Sequence, residues 1–369
     1  MSTICNSSET CAKNEHNDIH VENNTHENIV DIVNDNIVHD NNINNNNNIS
    51  DIIVTMANNT ISDDTIPKNI INHLVFSGGG PAGLILYGAC KYLHEKKVWD
   101  LKNIKSIYGT SIGALLGLIV SLDYEWNILD DYLIKRPWNK VFKISLDNFL
   151  NCFYEKGLLG SDVVYSLIGP LLKAKDLDIN ITFGELYKYT GIELHMYTAN
   201  INNSVIELVD LSYLTHKELS VCTGLCMSMS YPFVFKPIII DGICYIDGGI
   251  LNNFPLDKCI EQQKCSEDYV LAFKTDLDKD NEVVKPESSM ADYISILIRK
   301  IQRMLGGNHP KKYKSKYIVN CFAGRDLMNF NDWTNAVSDE DSRCRLIKEG
   351  DDLAKIFYDD TFLKKSVDN

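Results

Sequence analysis

The chain lacks a run of apolar residues long enough to cross a membrane. Its longest apolar stretches, such as 114–120, fall far short of the roughly eighteen residues expected of a spanning helix. A basic segment followed by an apolar one, which marks a secretory signal peptide, is also missing near the N-terminus. We therefore expect an intracellular, cytoplasmic protein that is soluble or associates peripherally with membranes.

A disulfide framework is missing as well. The eleven cysteines are an odd number and are scattered along the chain without the spacing of a disulfide-rich domain or a closed zinc site. Such usage is typical of a protein in a reducing compartment.

The N-terminal segment 1–67 has no aromatic residue and only one basic residue, Lys13. It contains seventeen asparagines and eleven Asp or Glu residues, so it carries most of the formal net charge of −14. A low-complexity, acidic segment of this kind cannot bury a core. We predict that 1–67 is a disordered tail and that the remaining chain is close to neutral.

The clearest pattern in that remainder is a serine between two glycines. Ser111 lies in the sequence GTSIG, between Gly109 and Gly113, and apolar runs stand on both sides. In a strand-turn-helix context such glycines let the backbone turn sharply and lift the serine hydroxyl off the sheet as a nucleophile. A plain tight turn can have the same sequence, so Ser111 needs support from other residues.

A glycine-rich loop, SGGGPAG at 77–83, precedes this pentapeptide. Gly78, Gly80 and Gly83 fit the glycine pattern of a dinucleotide-binding fingerprint. Asp100 stands roughly where that fingerprint has its acidic residue. However, a glycine loop at a helix N-terminus also offers main-chain N–H groups to an oxyanion. We favour the oxyanion hole, because a second strand-turn-helix with a serine at its tip follows at once.

Two residues downstream of Ser111 are candidates for the base. His309 lies in a glycine-containing loop among lysines and would serve a Ser-His-Asp esterase, although a solvated loop histidine has the same surroundings. Asp247 follows a hairpin-like strand pair and precedes Gly248, Gly249 and the sequence Asn-Asn-Phe-Pro. This is more than an Asp-Gly turn requires, and it predicts a loop held in one conformation.

Taken together, these patterns resemble the patatin-like phospholipases. The glycine-rich loop at 78–83, the nucleophile turn at 109–113 and the Asp-Gly-Gly at 247–249 follow the family's order within about residues 72–275. The serine-rich, proline-bounded segment 227–237 is similar to the one that precedes this aspartate in the family. Each motif alone is weak, but the ordered set is specific.

The resemblance implies a lipid acyl hydrolase of the phospholipase A or lysophospholipase type, with Ser111 as nucleophile and Asp247 as base. Main-chain N–H groups of Gly78, Gly79 and Gly80 would form the oxyanion hole. The glycines that support the three motifs are Gly83, Gly109, Gly113, Gly248 and Gly249. The implied partner is a phospholipid or lysophospholipid substrate; no cofactor, metal or nucleic acid is implied.

Two positions depart from the family pattern. Gly249 stands where many members have Ala, which the family tolerates, whereas the other departure bears on activity. Members usually carry Arg or Lys where this chain has Ala82, so a charge that helps to hold the glycine loop is missing. A catalytically silent lipid-binding scaffold therefore stays an alternative. The Ser-His-Asp esterase with His309 and the dinucleotide-binding protein remain alternatives too.

The predicted fold class is α/β, a three-layer α/β/α sandwich of the patatin type with a mostly parallel central sheet. The expected elements are strands at about 73–77, 104–108, 192–199 and 268–274, and a helix at 341–358. We divide the chain into the disordered tail 1–67, a catalytic domain at 70–280, and a C-terminal helical extension at 281–369 that packs on it.

Each of two further segments allows two interpretations. Apolar residues at helical spacing within 294–305 predict an amphipathic helix at the start of a region, 293–325, that has eight Lys or Arg and no Asp or Glu. In the first interpretation, the helix packs on the sheet and its basic face is solvated. In the second, the basic segment 299–325 makes peripheral contact with an anionic membrane. The aromatic-rich insert 124–190 forms a lid and lipid pocket over Ser111, or belongs to the ordinary core.

Overall fold

The computed structural model of the protein describes residues 70–143, 145–275, 283–305, 313, 315–322 and 330–363. Predictions for the tail 1–67 therefore lie outside the described residues. The same holds for several residues of the C-terminal third that the sequence analysis considered: His309, Lys311, Lys312, Lys314 and Arg325.

The strands are β1 (His73–Phe76), β2 (Ser106–Thr110), β3 (Gly157–Leu159), β4 (Glu193–Asn200), β5 (Glu207–Leu211), β6 (Phe233–Phe235), β7 (Ile238–Ile240), β8 (Ile243–Asp247), β9 (Val270–Lys274) and β10 (Ile318–Asn320). The α-helices are α1 (Gly83–Glu95), α2 (Ile112–Ser121), α3 (Trp126–Lys135), α4 (Leu146–Glu155), α5 (Ser161–Ala174), α6 (Phe183–Thr190), α7 (Val221–Met229), α8 (Leu256–Gln263), α9 (Met290–Leu305), α10 (Phe330–Ser338) and α11 (Glu340–Tyr358). Within the described residues, no helix combines the length and the apolar composition needed to span a bilayer.

The central sheet has the strand order β10-β9-β1-β2-β4-β8-β7, and β5 pairs with the other edge of β4. Strands β10, β9, β1, β2 and β4 run parallel, whereas β5, β7 and β8 form antiparallel pairs. The predicted, mostly parallel sheet is confirmed. Its four predicted strands correspond to β1, β2, β4 and β9, and the predicted C-terminal helix corresponds to α11.

Alternating side chains of the sheet build the three layers. All four residues of β1 are buried. Leu74 and Phe76 enter a large core with residues of α1, α2 and α11, and Val75 enters a smaller core with Leu256 and Cys259 of α8. Because successive side chains of a strand point to opposite faces, helices cover both faces of the sheet.

One edge of β4 is shared by two strands that approach from opposite directions. Strand β2 pairs with the first part of β4, where Thr110 lies opposite Tyr197. Strand β8 pairs with the last part, where Asp247 lies opposite Thr198. Strand β5 pairs with Met196 through Asn200, and so occupies the other edge. The chain therefore leaves β2 at Ser111 and β8 at Asp247 at the same point of the sheet.

The C-terminal region is built into this framework. Helix α11 crosses α1 at two glycines: a Cβ on Gly88 would lie 2.1 Å from the main-chain oxygen of Ile347, and a Cβ on Gly350 would lie 2.1 Å from that of Ile85. Strand β10 adds an edge to the central sheet by pairing with β9. The segment 281–369 thus contributes a strand as well as the expected helices.

Candidate active site

Ser111 occupies a sharp turn between β2, which ends at Thr110, and α2, which begins at Ile112. Its φ of 56° and ψ of −124° lie outside the regions that serine normally adopts. Such strain persists only where the surroundings fix the backbone, and it is concentrated at functional sites. One contact that fixes this backbone is a hydrogen bond of 2.9 Å, which the main-chain N–H of Ser111 donates to Ser228 Oγ.

The glycines around Ser111 allow three chain segments to meet. A Cβ on Gly109 would lie 2.4 Å from the main-chain oxygen of Gly113, and a Cβ on Gly113 would lie 2.4 Å from that of Phe76. A Cβ on Gly83 would lie 2.3 Å from Cγ1 of Ile112. The first two contacts are with backbone, which cannot swing aside, so these glycines are required by the close approach of β1, β2 and α2.

The carboxylate of Asp247 lies beside Ser111 and is 2% exposed. Because Thr110 and Asp247 pair with consecutive residues of β4, the side chain of Asp247 lies near Ser111, close enough for hydrogen bonding with Ser111 to lower the pKa of the carboxyl. The main-chain N–H of Gly249 donates to Asp247 Oδ1 at 2.7 Å. The structure thus brings together the predicted nucleophile and the predicted base.

The environment of Asp247 makes it a stronger base than an ordinary aspartate. Burial raises the pKa of its carboxyl from 3.8 to about 6, although the hydrogen bonds from Ser111 and Gly249 act in the opposite direction. The group is therefore largely ionised at neutral pH and still takes up a proton more readily than an exposed carboxylate. This combination suits a general base for a serine hydroxyl.

The two glycines after Asp247 hold the carboxylate in a tight turn. A Cβ on Gly248 would lie 2.4 Å from the main-chain oxygen of Tyr197 on β4. A Cβ on Gly249 would lie 2.9 Å from Asp247 Oδ1. The Asp-Gly-Gly sequence is thus explained by close packing of this turn on β4 and around the carboxylate itself.

The glycine-rich loop faces Ser111 across a cleft lined by Gly78, Gly79 and Gly80 together with Asp247. The main-chain N–H of Gly78 is already used, because it donates to the main-chain oxygen of Asn253 at 2.9 Å. The amides of Gly79 and Gly80 have no acceptor among the described residues. The sequence predicts that all three amides serve an oxyanion, but of the three the structure leaves only those of Gly79 and Gly80 available.

Asn253 is a site residue that the motifs did not single out. Its Nδ2 donates to the main-chain oxygen of Gly78 at 3.2 Å, and its main chain accepts from the amide of Gly78. Thr275 Oγ1 donates to the same oxygen of Gly78 at 2.6 Å. Asn253 thus connects the loop after Asp247 to the glycine-rich loop. The Asn-Asn-Phe-Pro sequence gave a partial signal for it, whereas nothing in the sequence pointed to Thr275.

We expect Asn253→Ala to slow catalysis without unfolding the protein. Losing the side chain removes one of two hydrogen bonds that hold the carbonyl of Gly78, so the amides of Gly79 and Gly80 lose their alignment. Misplacement of this kind costs about 10- to 100-fold in kcat. The measurement is steady-state hydrolysis of a soluble ester. Asn252→Ala is the matched control, because Asn252 donates to Asp257 instead, at 3.1 Å; equal losses in both variants would contradict the assignment.

A second cavity adjoins the Ser111 cleft, and its lining is almost entirely apolar. The two share Gly80, Ile112, Met229, Phe235 and Trp333. Further lining residues come from α2, from α10, and from the aromatic-rich insert, including Tyr132, Trp138, Phe142 and Leu167. Part of the insert therefore lines an apolar cavity next to Ser111, and such cavities are suited to apolar ligands.

The sequence profile described as Patatin-like phospholipase matches residues 74–260, which is half of the chain. The chain belongs to the patatin-like phospholipase family. Membership implies a lipid acyl hydrolase, and the matched segment begins in β1 and ends in α8, so it includes the glycine-rich loop, Ser111 and Asp247.

This family member has relatives in viruses and bacteria. The probable lipid hydrolase 463L of Invertebrate iridescent virus 6 is 28% identical over 208 residues, which cover 55% of this chain and 69% of the viral protein. The uncharacterized protein YqhO of Bacillus subtilis (strain 168) is 27% identical over 197 residues, which cover 49% of this chain and 64% of that protein. VipD from Legionella pneumophila superimposes with a TM-score of 0.45 and 18% identity, over 79% of this chain and 67% of VipD.

The patatin-like arrangement replaces the dinucleotide-binding interpretation. Asp100 caps a short 3-10 helix by accepting the main-chain N–H of Lys102, and it precedes β2. The glycine-rich loop follows β1, which runs parallel to β2, so Asp100 lies at the opposite end of the sheet from that loop. It cannot contact a ligand held there. Ala82 is buried, and its position offers no charge to the loop.

Proposed function

We propose that the protein hydrolyses acyl esters of glycerophospholipids or lysophospholipids through an acyl-enzyme on Ser111, with Asp247 as base. The position of Asp247 beside Ser111 carries the proposal. Strands β2 and β8 end at the same point of β4, and both residues line one cleft. A buried carboxylate of raised pKa next to a serine at a strained turn is the arrangement that a nucleophile and its base require. Two further features support the proposal: the amides of Gly79 and Gly80 can stabilise an oxyanion, and the adjoining apolar cavity can hold an acyl chain.

The first half of the reaction transfers the acyl group to the enzyme. Ser111 Oγ attacks the ester carbonyl carbon while Asp247 takes the hydroxyl proton. The carbonyl oxygen becomes an oxyanion that accepts hydrogen bonds from Gly79 and Gly80, each of which contributes about 3 kcal/mol. The intermediate collapses, the bond to the alcohol oxygen breaks, and Asp247 returns the proton to that oxygen.

The second half releases the fatty acid. A water molecule gives one proton to Asp247 and attacks the acyl carbon, and the same two amides stabilise the second oxyanion. Collapse of that intermediate breaks the bond to Ser111 Oγ, which regains the proton from Asp247. The acyl chain occupies the apolar cavity between α2, α10 and the insert during both halves.

A basic side chain in the cleft favours a phosphate-bearing substrate. Arg299 of α9 lines the cleft and is 3% exposed, so its guanidinium acts through surroundings of low dielectric constant. Guanidinium groups bind phosphate well. A phospholipid offers this phosphate and a neutral diacylglycerol does not.

We therefore expect wild-type protein to react with a fluorophosphonate probe and to release fatty acid faster from phospholipid than from diacylglycerol with the same chains, by about tenfold. The measurement is fatty-acid release from mixed micelles. His309→Ala is expected to retain both labelling and release. A protein that is neither labelled nor active on any ester would instead support the silent scaffold, and loss of activity in His309→Ala would support a Ser-His-Asp esterase.

A further inference from the structure

Helix α9 presents a continuous stripe of apolar residues to solvent. Six exposed residues, spaced three, four or one apart, follow one side of the helix: Met290, Tyr293, Leu297, Ile301, Met304 and Leu305, here called the outer stripe. Met290 and Met304 are 72% and 74% exposed. On the inner side, Ile296, Ile298 and Arg299 are buried, and Arg299 and Gln302 line the Ser111 cleft. A helix that merely covers a core would leave few large apolar side chains exposed, whereas α9 leaves six.

The inner side of α9 packs at the catalytic centre. The helix lies against the turn Gly248–Ile250, which follows Asp247 directly. Since an α-helix with its side chains is about 10 Å across, the outer stripe lies about one helix diameter from the cleft wall. Helix α9 thus packs on the protein through Ile296, Ile298 and Arg299 and still leaves the outer stripe exposed.

A second exposed apolar group lies on another side of the cleft. Phe233 is 56% exposed and has a φ of 68°, which is strained for an aromatic residue. It stands between Tyr231 and Phe235, which both line the cleft. Phe233 pairs with Gly157 at the start of β3. The end of α4 just before it carries two aromatic side chains that are almost fully exposed, Phe153 and Tyr154. We call Phe153, Tyr154 and Phe233 the aromatic rim.

The charge of α9 indicates which kind of partner binds the exposed apolar residues. Two basic residues of the helix, Lys300 and Arg303, are exposed like the stripe, and its single acidic residue, Asp292, is half-buried. A basic helix with an exposed apolar stripe lies in the interface of an anionic bilayer: the stripe enters the acyl boundary and the cations remain among the headgroups. The same bilayer would hold the proposed substrate.

We propose that the outer stripe and the aromatic rim form a docking face for an anionic phospholipid bilayer and place the mouth of the Ser111 cleft against it. The reason for docking depends on the proposed function, because the bilayer holds the proposed substrate. Binding of the bilayer itself can be measured independently of hydrolysis. Docking transfers the lipid from bilayer to cleft along α9, without exposing its acyl chain to water.

The test uses the full chain and sedimentation with vesicles of phosphatidylcholine containing one third phosphatidylglycerol. The variant Leu297→Gln/Ile301→Gln/Met304→Gln is expected to bind at least about tenfold more weakly than wild type, because three apolar side chains no longer enter the interface. Phe153→Ser/Phe233→Ser is expected to weaken binding as well. Wild type is expected to bind pure phosphatidylcholine vesicles, or mixed vesicles in high salt, less tightly.

The matched control is Val205→Gln/Leu214→Gln, which changes two exposed apolar residues before and after β5. It is expected to bind like wild type. Hydrolysis of a short-chain, monomeric ester is expected to be unchanged in all variants, and only hydrolysis of vesicle lipid falls in the stripe and rim variants. Equal vesicle affinity of the stripe variant and wild type would overturn the inference.

Two other outcomes separate the competing explanations. A wild-type dimer in light scattering that dissociates in the stripe variant, with vesicle binding absent throughout, would identify a second copy of the chain as the occupant and overturn the bilayer. Vesicle binding that depends on the stripe, in a protein that hydrolyses no ester, would uphold the docking face and reject the proposed function.

Discussion

Ser111→Ala is expected to abolish fluorophosphonate labelling and to lower fatty-acid release by at least about 10³-fold. The loss follows from removal of the hydroxyl that lies next to Asp247 and opposite the amides of Gly79 and Gly80, where it is placed to attack the ester. The measurement is single-turnover hydrolysis of a soluble ester, which does not depend on membrane docking. Release that persisted at more than a tenth of the wild-type rate would show that another residue is the nucleophile.

Ser111→Gly provides a control that separates chemistry from folding. Glycine adopts a φ of 56° without the strain that alanine and serine share. The glycine variant is therefore expected to be as inactive as Ser111→Ala and more stable than it by about 1 kcal/mol, measured by urea unfolding. An active glycine variant would show that the inactivity of Ser111→Ala has a structural cause.

Asp247→Asn is expected to change activity and stability in opposite directions. The variant has no base for the hydroxyl of Ser111, so hydrolysis falls by about 10³-fold or more. In wild type, kcat/KM is expected to rise with pH through the pKa of about 6 and then to level off, since the ionised carboxylate is the form that accepts the proton. A wild-type profile without this rise would show that Asp247 is not the base.

The stability effect follows from the same raised pKa. Between pH 3.8 and about 6 the folded state binds more protons than the unfolded state, so wild-type stability falls as pH increases through this range. At pH 8 the buried charge costs about 3 kcal/mol, and asparagine, whose Oδ1 still accepts from Gly249, avoids this cost. We therefore expect Asp247→Asn to unfold at higher urea concentration than wild type at pH 8.

The comparison at low pH is the internal control for that result. Below pH 3.8 the wild-type carboxyl is protonated in both states, and the stability difference between the two proteins is expected to be small. A difference that stayed constant between pH 3.5 and pH 8 would show that the buried charge is not its source.

The sequence was sufficient for the parts of the site that depend on local geometry. The GTSIG sequence predicts a sharp turn at Ser111 because only glycine fits at Gly109 and Gly113 against neighbouring backbone. The Asp-Gly-Gly turn predicts a held carboxylate for a similar reason. The apolar run around β1 predicts a buried parallel strand. Each of these inferences involves residues that are close along the chain.

The remaining features depend on pairings between distant residues, which a single sequence does not contain. The amide of Gly78 is taken by Asn253, 175 positions away, so its removal from the set of oxyanion donors was not predictable. The sharing of one edge of β4 by β2 and β8, which brings Asp247 to Ser111, is likewise a property of sheet register. No local pattern specifies which strand ends meet.

Helix α9 shows a different limit. The spacing of its apolar residues predicts an amphipathic helix, and the structure has one at Met290–Leu305. The same spacing gives no information about which side faces the protein, since a core and a bilayer both select an apolar stripe. The structure shows that the outer stripe is exposed, with Arg299 and Gln302 packed into the cleft on the other side of the helix.

The crossing of α1 and α11 at Gly88 and Gly350 has a consequence for the order of events during synthesis. Helix α1 begins directly after the glycine-rich loop, and the partner that packs on it ends at Tyr358. A nascent chain that already contains Ser111 and Asp247 therefore still lacks the helix that packs on α1, behind the glycine-rich loop. Domains generally fold as units once their parts are available. In a lipid hydrolase arranged in this way, α1 gains its packing partner only after translation has passed Tyr358, more than 100 residues beyond Asp247.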